Sequence, residues 1–289
     1  TRFTYVAEIA VTGEVAAVNE LDTLKIYEKV PTTAELNFMP GVFCHDRGAG
    51  KIYIATSDMQ DAAKHRYTAT VIGTHGLCLH NPCRVVIEGI TVSGFNALKE
   101  LPASEFSLGS VWGILLVNAR DCILRGCNAY LNGQGIGVNS TAETSGGNLV
   151  EKCTVWANAT HFGSGDRGGI TLIDPRRDIV RDSVSFLNGE WGINIRGGGL
   201  SGQDEKNKSV MLRNLAWGNG AGDYKIKTGY SYVHYADRCV GLGPWSLNGA
   251  GRSDHCLIGK WKIERTQENI KLDEEKDLDM QKEFADPDN

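Results

Sequence analysis

Two cations stand at matching positions of neighbouring sequence repeats: Arg196 in INIRG and Lys227 in YKIKT, with Lys225 two residues before the latter. A base beside a second cation suits the removal of a proton next to a carboxylate. The second cation lowers the pKa of the base and stabilises the charge that develops as the proton leaves. In that chemistry Lys227 or Lys225 is the base and Arg196 neutralises the carboxylate. Like charges placed side by side across a strand ladder repel, so the pair needs an offsetting acid, and Asp174 in ITLID is the nearest.

Carboxylates offer a second chemistry. Asp166, Asp174, Glu190 and Asp223 come from consecutive repeats. A glycosidase needs two carboxyl groups, about 5 Å apart for retention or about 6.5–9.5 Å for inversion. Pairs one or two repeats apart reach such separations. Around both sets lie groups that bind substrate: Asn139, His161, Arg167 and Asn194 through polar contacts, and Trp191 by stacking on a sugar ring. A third reading needs no chemistry, because a repetitive scaffold is useful without an active site.

These side chains must be held by short strands and tight turns. DCILRGCNAYLNGQGIGV from Asp121, NLVEKCTVWANATHFGSGDRGGITL from Asn148, DIVRDSVSFLNGEWGINI from Asp178 and SVMLRNLAWGNGAGDYKIK from Ser209 align with one another. Each reads as an apolar strand, a polar pair, a second short strand, an Asn turn and a third strand led by Gly or Asp. VVIEGITVSGF, from Val85, is an earlier copy and HYADRCVGLGPWSLNGAG, from His234, a degraded later one. The equivalent positions Cys127, Cys153, Ser183, Asn214 and Cys239 recur every 25 to 31 residues, with no helical periodicity between them. That period and turn chemistry predict an all-β parallel β-helix, a solenoid of about six or seven rungs over residues 72–262. Strand alternation then sends one residue in two outward. The outward column runs through Cys78 and His80, Leu115 and Val117, Gly137 and Asn139, Thr171 with Ile173 and Asp174, Asn194 and Arg196, and finally Lys225 and Lys227. Glycines 76, 113, 135, 169, 192 and 222 lead these strands. Rungs about 4.8 Å apart make Arg196 and Lys227 neighbours.

Composition agrees with a turn-rich β chain: 35 glycines in 289 residues exceed the usual share of roughly 7%. The formal charge of −5 is concentrated in residues 264–289, which hold ten acidic and four basic side chains. The remainder is near neutral, which excludes a dedicated nucleic-acid binder. No run of 18 apolar residues predicts a transmembrane helix. Cys127, Cys153 and Cys239 sit in apolar runs and read as core residues, whereas Cys78 and Cys83 leave a local bridge open.

The Asn-Gly-x-Gly-Ile pattern of LNGQGIGV and LNGEWGINI resembles the repeats of right-handed parallel β-helix proteins of the pectate-lyase-like superfamily. PGVFCHDRGAGKIYIATSDMQDAAKHRYTATV, residues 40–71, resembles the β-hairpin entry segment of its carbohydrate-active bacterial members; Asp46, Gly50 and Ile52–Ile54 fit that segment, and its usual proline near Met59 is missing. The resemblance implies a right-handed coil, a polysaccharide partner, and a secreted, periplasmic or cell-surface location. It also implies lyase, glycosidase or non-catalytic roles, and a calcium ion for which Asp166, Asp174 and Asp223 are the candidate ligands. The resulting organisation is an N-terminal β entry or cap segment (1–71), the β-helix (72–262) and an acidic charged tail or linker (263–289). The irregular start, the missing initiator and the acidic tail read as parts of a larger polypeptide or assembly.

Overall fold

A computed structural model of the chain describes residues 4–8, 13–71, 74–96, 111–158, 168–197, 209–228, 235–248, 252–254 and 257–261. Their regular structure is β strand throughout, apart from two one-turn 3-10 helices, Glu35–Asn37 and Ala62–Lys64.

The N-terminal part is one six-stranded sheet made of β1 (Thr4–Glu8), β2 (Ala17–Glu20), β3 (Lys25–Lys29), β4 (Val42–Asp46), β5 (Lys51–Ala55) and β6 (Tyr67–Thr70), in the order β1-β5-β4-β3-β2-β6. The pairs are antiparallel except β3 with β4. Period-two alternation in KIYIA and VFCHD turns Phe43, Ile52 and Ile54 onto a core shared with Val15, Val18 and Tyr27.

From Leu77 onward each repeat supplies three short strands, and each strand pairs in parallel with its counterpart in the next repeat. The first stack holds Leu77–His80, Trp112–Val117, Gln134–Asn139, Gly168–Ile173, Trp191–Gly197 and Gly222–Thr228. The second holds Val86–Glu88, Ile123–Arg125, Leu149–Glu151, Ile179–Arg181, Val210–Leu212, Tyr235–Asp237 and Arg252–Asp254. The third runs through Thr91–Ser93, Asn128–Tyr130, Thr154–Trp156, Val184–Phe186 and Leu215–Trp217. Val240–Asn248 joins the stacks, because its start continues the third and its end pairs with Tyr224–Lys227 of the first. Leu257–Trp261 pairs alongside it.

Strand register places Cys127, Cys153, Ser183, Asn214 and Cys239 in one line, since Asn128, Thr154, Val184, Leu215 and Val240 pair in succession. The chain turns the corner just before this line at a single residue per repeat. Gly126, Lys152, Asp182, Arg213 and Arg238 all take the left-handed conformation, with φ from 49° to 58°. Each non-glycine there costs about 1–2 kcal/mol, which the parallel pairing on either side offsets.

Ile114, Ile136, Ile170 and Ile193 fill the interior behind the first stack, and Leu124, Val150, Val180 and Met211 meet them from the second. Cys127, Cys153 and Cys239 are fully buried in the same core. The seven described cysteines are free, Cys78 and Cys83 among them.

Polar ladders run beside this apolar interior. The carboxamide oxygen of Asn158 accepts from the main-chain N–H and from the side-chain amide of Asn132, at 3.1 and 3.2 Å. Asn188 does the same for Asn158, and Asn219 for Asn188. These residues occupy the Asn turn of successive repeats, so the turn amides of Asn132, Asn158 and Asn188 are each satisfied by the following layer.

The strand-leading glycines make room for this ladder. A side-chain carbon on Gly113 would lie 2.6 Å from Nδ2 of Asn132, and one on Gly135 2.2 Å from the carbonyl of Gly169. The glycine line passes through residues 76, 113, 135, 169 and 192, but Gly222 falls outside it. Tyr224 pairs with Ile193 and Gly222 with Trp191, so Asp223 occupies the glycine position of that repeat.

Candidate functional site

The outward face of the first stack carries the residues singled out from the sequence. Arg196 is paired with Lys227, and Asn194 with Lys225. Thr171 and Ile173 stand on the other side of Asn194 and Arg196, and Gly137 and Asn139 precede them. Of these residues Asn139, Thr171, Ile173 and Asn194 are buried and Arg196 is half-buried.

This burial differs from a solvated outer face. Its origin is visible near the start of the stack, where Trp112, Leu115, Val117 and Ile173 form an apolar cluster with Cys78. The ring of Trp112 lies over Gly137 so closely that a side-chain carbon there would sit 2.8 Å from it. An outward position is an exposed one only if nothing packs on it, and here bulky side chains lean across the glycine gaps.

Asp174 does not share the Arg196 column. Ile173 pairs with Arg196, and Asp174 follows at a left-handed bend with φ 44°, its N–H donating to the Arg196 carbonyl at 2.7 Å. Its carboxylate accepts from the Thr141 hydroxyl at 3.0 Å. Gly197 packs directly against it. A side-chain carbon on Gly197 would come within 2.4 Å of Asp174 Oδ1 and 2.5 Å of its Cα, so that glycine permits close approach to Asp174. In the sequence this glycine gave only a general bend signal.

Trp191 leads its strand opposite Gly168 and Gly222 and is buried. His161, Asp166 and Arg167 lie outside the described residues, and Asp223, Lys225 and Lys227 are described by backbone register alone. The register separates two of the candidate calcium ligands. Asp223 stands across from Gly192, which stands across from Gly169, five residues before Asp174. Five strand residues span about 16 Å, too far for two aspartates to share an ion whose ligands lie at about 2.3–2.6 Å. Among the described residues no three His, Cys, Asp or Glu side chains gather into a metal-holding group.

The sequence pattern did not single out Gln134 and Trp112. Both hold the position before a strand-leading glycine, as Trp191 does, and that shared place was the available signal. Gln134 and Trp112 are paired neighbours and completely buried. Both amide atoms of Gln134, the indole N–H of Trp112 and the hydroxyl of Thr171 lack a hydrogen-bond partner. Each unpaired buried polar group costs about 1–3 kcal/mol, so this face carries polar capacity that the chain itself does not use.

A second polar centre lies in the N-terminal sheet. Glu20 is fully buried and accepts from the hydroxyls of Tyr27, Tyr67, Thr23 and Ser57. Burial pushes its pKa up, but these hydrogen bonds outweigh burial and hold it below the ordinary value. Desolvation raises the Tyr67 hydroxyl to about 12. Beside them His65 bonds Asp22 at 2.7 Å through Nδ1 and Asp58 at 3.2 Å through Nε2, and the Asp22 contact raises its pKa. This centre is internally satisfied, unlike the face around Gln134.

No helix among the described residues is long and apolar enough to cross a membrane. No protein-family model, no curated protein and no solved structure matches this chain.

Proposed function

We propose that the chain coils as a right-handed parallel β-helix of about seven turns, preceded by a β entry sheet, and acts on an extracellular polysaccharide. The reaction that fits best is β-elimination on a uronic-acid polymer. Lys227, or Lys225 beside it, takes the proton next to the uronate carboxylate. Arg196 neutralises that carboxylate as negative charge builds on it. The proton's electron pair becomes the new carbon–carbon double bond as the glycosidic carbon–oxygen bond breaks, and the leaving oxygen takes up a proton. The observation that carries this reading is the strand pairing of Arg196 with Lys227.

Hydrolysis is less well supported, because the two acids of the proposed set whose side chains are described do not form a pair: Asp174 is bonded to Thr141 and follows Ile173, whereas Glu190 precedes Trp191 at the opposite end of the same paired strands. A specific observation does favour a non-catalytic, polysaccharide-binding or structural role as the second reading: the outward columns are buried from Leu115 through Asn194. Incubation with polygalacturonate, alginate and a glycosaminoglycan, with and without calcium, separates the readings. Ultraviolet absorbance from unsaturated chain ends supports the lyase. New reducing ends without that absorbance mean hydrolysis, and binding without either means a non-catalytic module.

A further inference from the structure

The outward face of the third stack carries a row of parallel rings, Tyr130, Trp156, Phe186 and Trp217. Their centroids are 4.5, 5.9 and 4.5 Å apart and their planes lie within 8° of parallel. Inside the row each ring uses both faces on its neighbours. At Tyr130 the row stops, because the residue paired with it in the preceding layer is the exposed Ser93.

The second face of Tyr130 therefore turns toward a cleft of about 500 Å³ between β6, the edge strand of the N-terminal sheet, and the first layer of the stacks. Hydroxyl groups surround that face: Thr68 and Thr70 on β6, Thr74 after it, and Ser93 below. Phe95 completes the wall, and the described residues that line the cleft include no charged side chain. Thr70 donates its hydroxyl across the junction to the Gly94 carbonyl, and within the sheet Thr68 accepts from Asn19 at 3.2 Å. Thr68 keeps its own proton to donate, and Thr74 and Ser93 are exposed.

A flat apolar ring ringed by neutral hydroxyls matches one chemistry: a pyranose, whose axial C–H face lies on the aromatic ring while its edge hydroxyls exchange hydrogen bonds. The cleft volume falls in the range of about 300–1,000 Å³ typical of small-molecule sites, and the neutral lining among the described residues suits an uncharged sugar. We propose that this cleft is a binding subsite for a neutral glycan unit stacked on Tyr130. It lies away from the Arg196–Lys227 face and does not depend on it.

The test is saturation-transfer NMR on the full chain with four neutral probes, cellohexaose, laminarihexaose, mannohexaose and xylohexaose, and with trigalacturonate as the charged control. Transfer to at least one neutral probe, exceeding that to trigalacturonate, is expected. Ser93→Phe extends the ring row by one and covers Tyr130 without removing any packing, and Tyr130→Ala removes the platform. Each should weaken binding by about tenfold or more, while Arg196→Ala leaves it unchanged. The proposal is overturned by no transfer to any neutral probe, by undiminished transfer in Ser93→Phe, or by loss of transfer in Arg196→Ala.

Discussion

Asn158 presents one carboxamide oxygen to two donors of Asn132, its main-chain N–H and its side-chain amide. With its own amide Asn158 then reaches Asn188 and the Ala129 carbonyl, both at 3.0 Å. It is the middle link of a ladder that ties four layers together inside the protein, out of reach of water. Asn158→Ala strands the buried N–H of Asn132 and the carbonyl of Ala129, and should cost about 3 kcal/mol in urea unfolding. Asn128→Ala, whose side chain is bonded to the Thr91 hydroxyl on the outward face, should change stability by less than about 0.5 kcal/mol. Equal costs for the two variants would mean that the ladder adds nothing to stability.

Trp156 lies between Tyr130 and Phe186 in the aromatic row. It is half-buried, so Trp156→Ala should cost about 2 kcal/mol, less than the roughly 3–5 kcal/mol of a fully buried ring. The near-ultraviolet circular dichroism of the stacked rings should fall with it. Retention of that signal would show that the rings do not couple in solution.

His65, held by Asp22 and Asp58, has a raised pKa. Its contribution to stability is complete below its unfolded value of about 6.5 and is lost as pH rises through the folded value. Asp22, Asp58 and Glu20 have lowered values, the first two mainly through hydrogen bonds from His65 and the Gln60 amide. Their contribution is present above their unfolded values of about 4 and is lost as pH falls through the folded ones. Stability of the N-terminal sheet should therefore be greatest between about pH 4.5 and 6.5. His65→Gln should remove much of the loss on the alkaline side, as read by urea midpoints from pH 5 to 9. An unchanged profile in that variant would assign the alkaline loss elsewhere.

Asp178 has the same sign for a different reason. It is almost wholly buried, and desolvation lifts its pKa to about 6 although Ser140, Asn148 and the Arg176 N–H all donate to it. A raised carboxyl favours folding in its protonated form, complete below about 4 and lost as pH rises through about 6. In the His65→Gln background a residual decline between about pH 4 and 6 should therefore remain, and the Asp178 carboxyl should titrate near 6 by carbon-13 NMR. Titration of Asp178 near 4 would contradict this.

The repeat was legible because its strongest signals are local. Cys127, Cys153, Ser183, Asn214 and Cys239 fall in line in the structure, and the strand alternation that pairs Arg196 with Lys227 follows from the same count. The aromatic row was equally available, since Tyr130, Trp156, Phe186 and Trp217 each come three residues after a member of that line. Burial of the outward face was not legible. Period two says which way Thr171 and Asn194 point, but whether anything packs over them depends on the lean of residues such as Trp112. Asp174 was misaligned for a related reason: its left-handed φ turns the chain at that point, and nothing in ITLID announces the bend.

The central claim is that Arg196 and Lys227 act together on an anionic polysaccharide. The most direct measurement is the rate of unsaturated-end formation, followed by ultraviolet absorbance, for the unaltered chain and for Arg196→Ala on the uronan that responds best. The account predicts a clear rate for the unaltered chain and a fall of about 10²–10³-fold on loss of Arg196. No absorbance from polygalacturonate, alginate or glycosaminoglycan, or a rate that Arg196→Ala leaves intact, would contradict it.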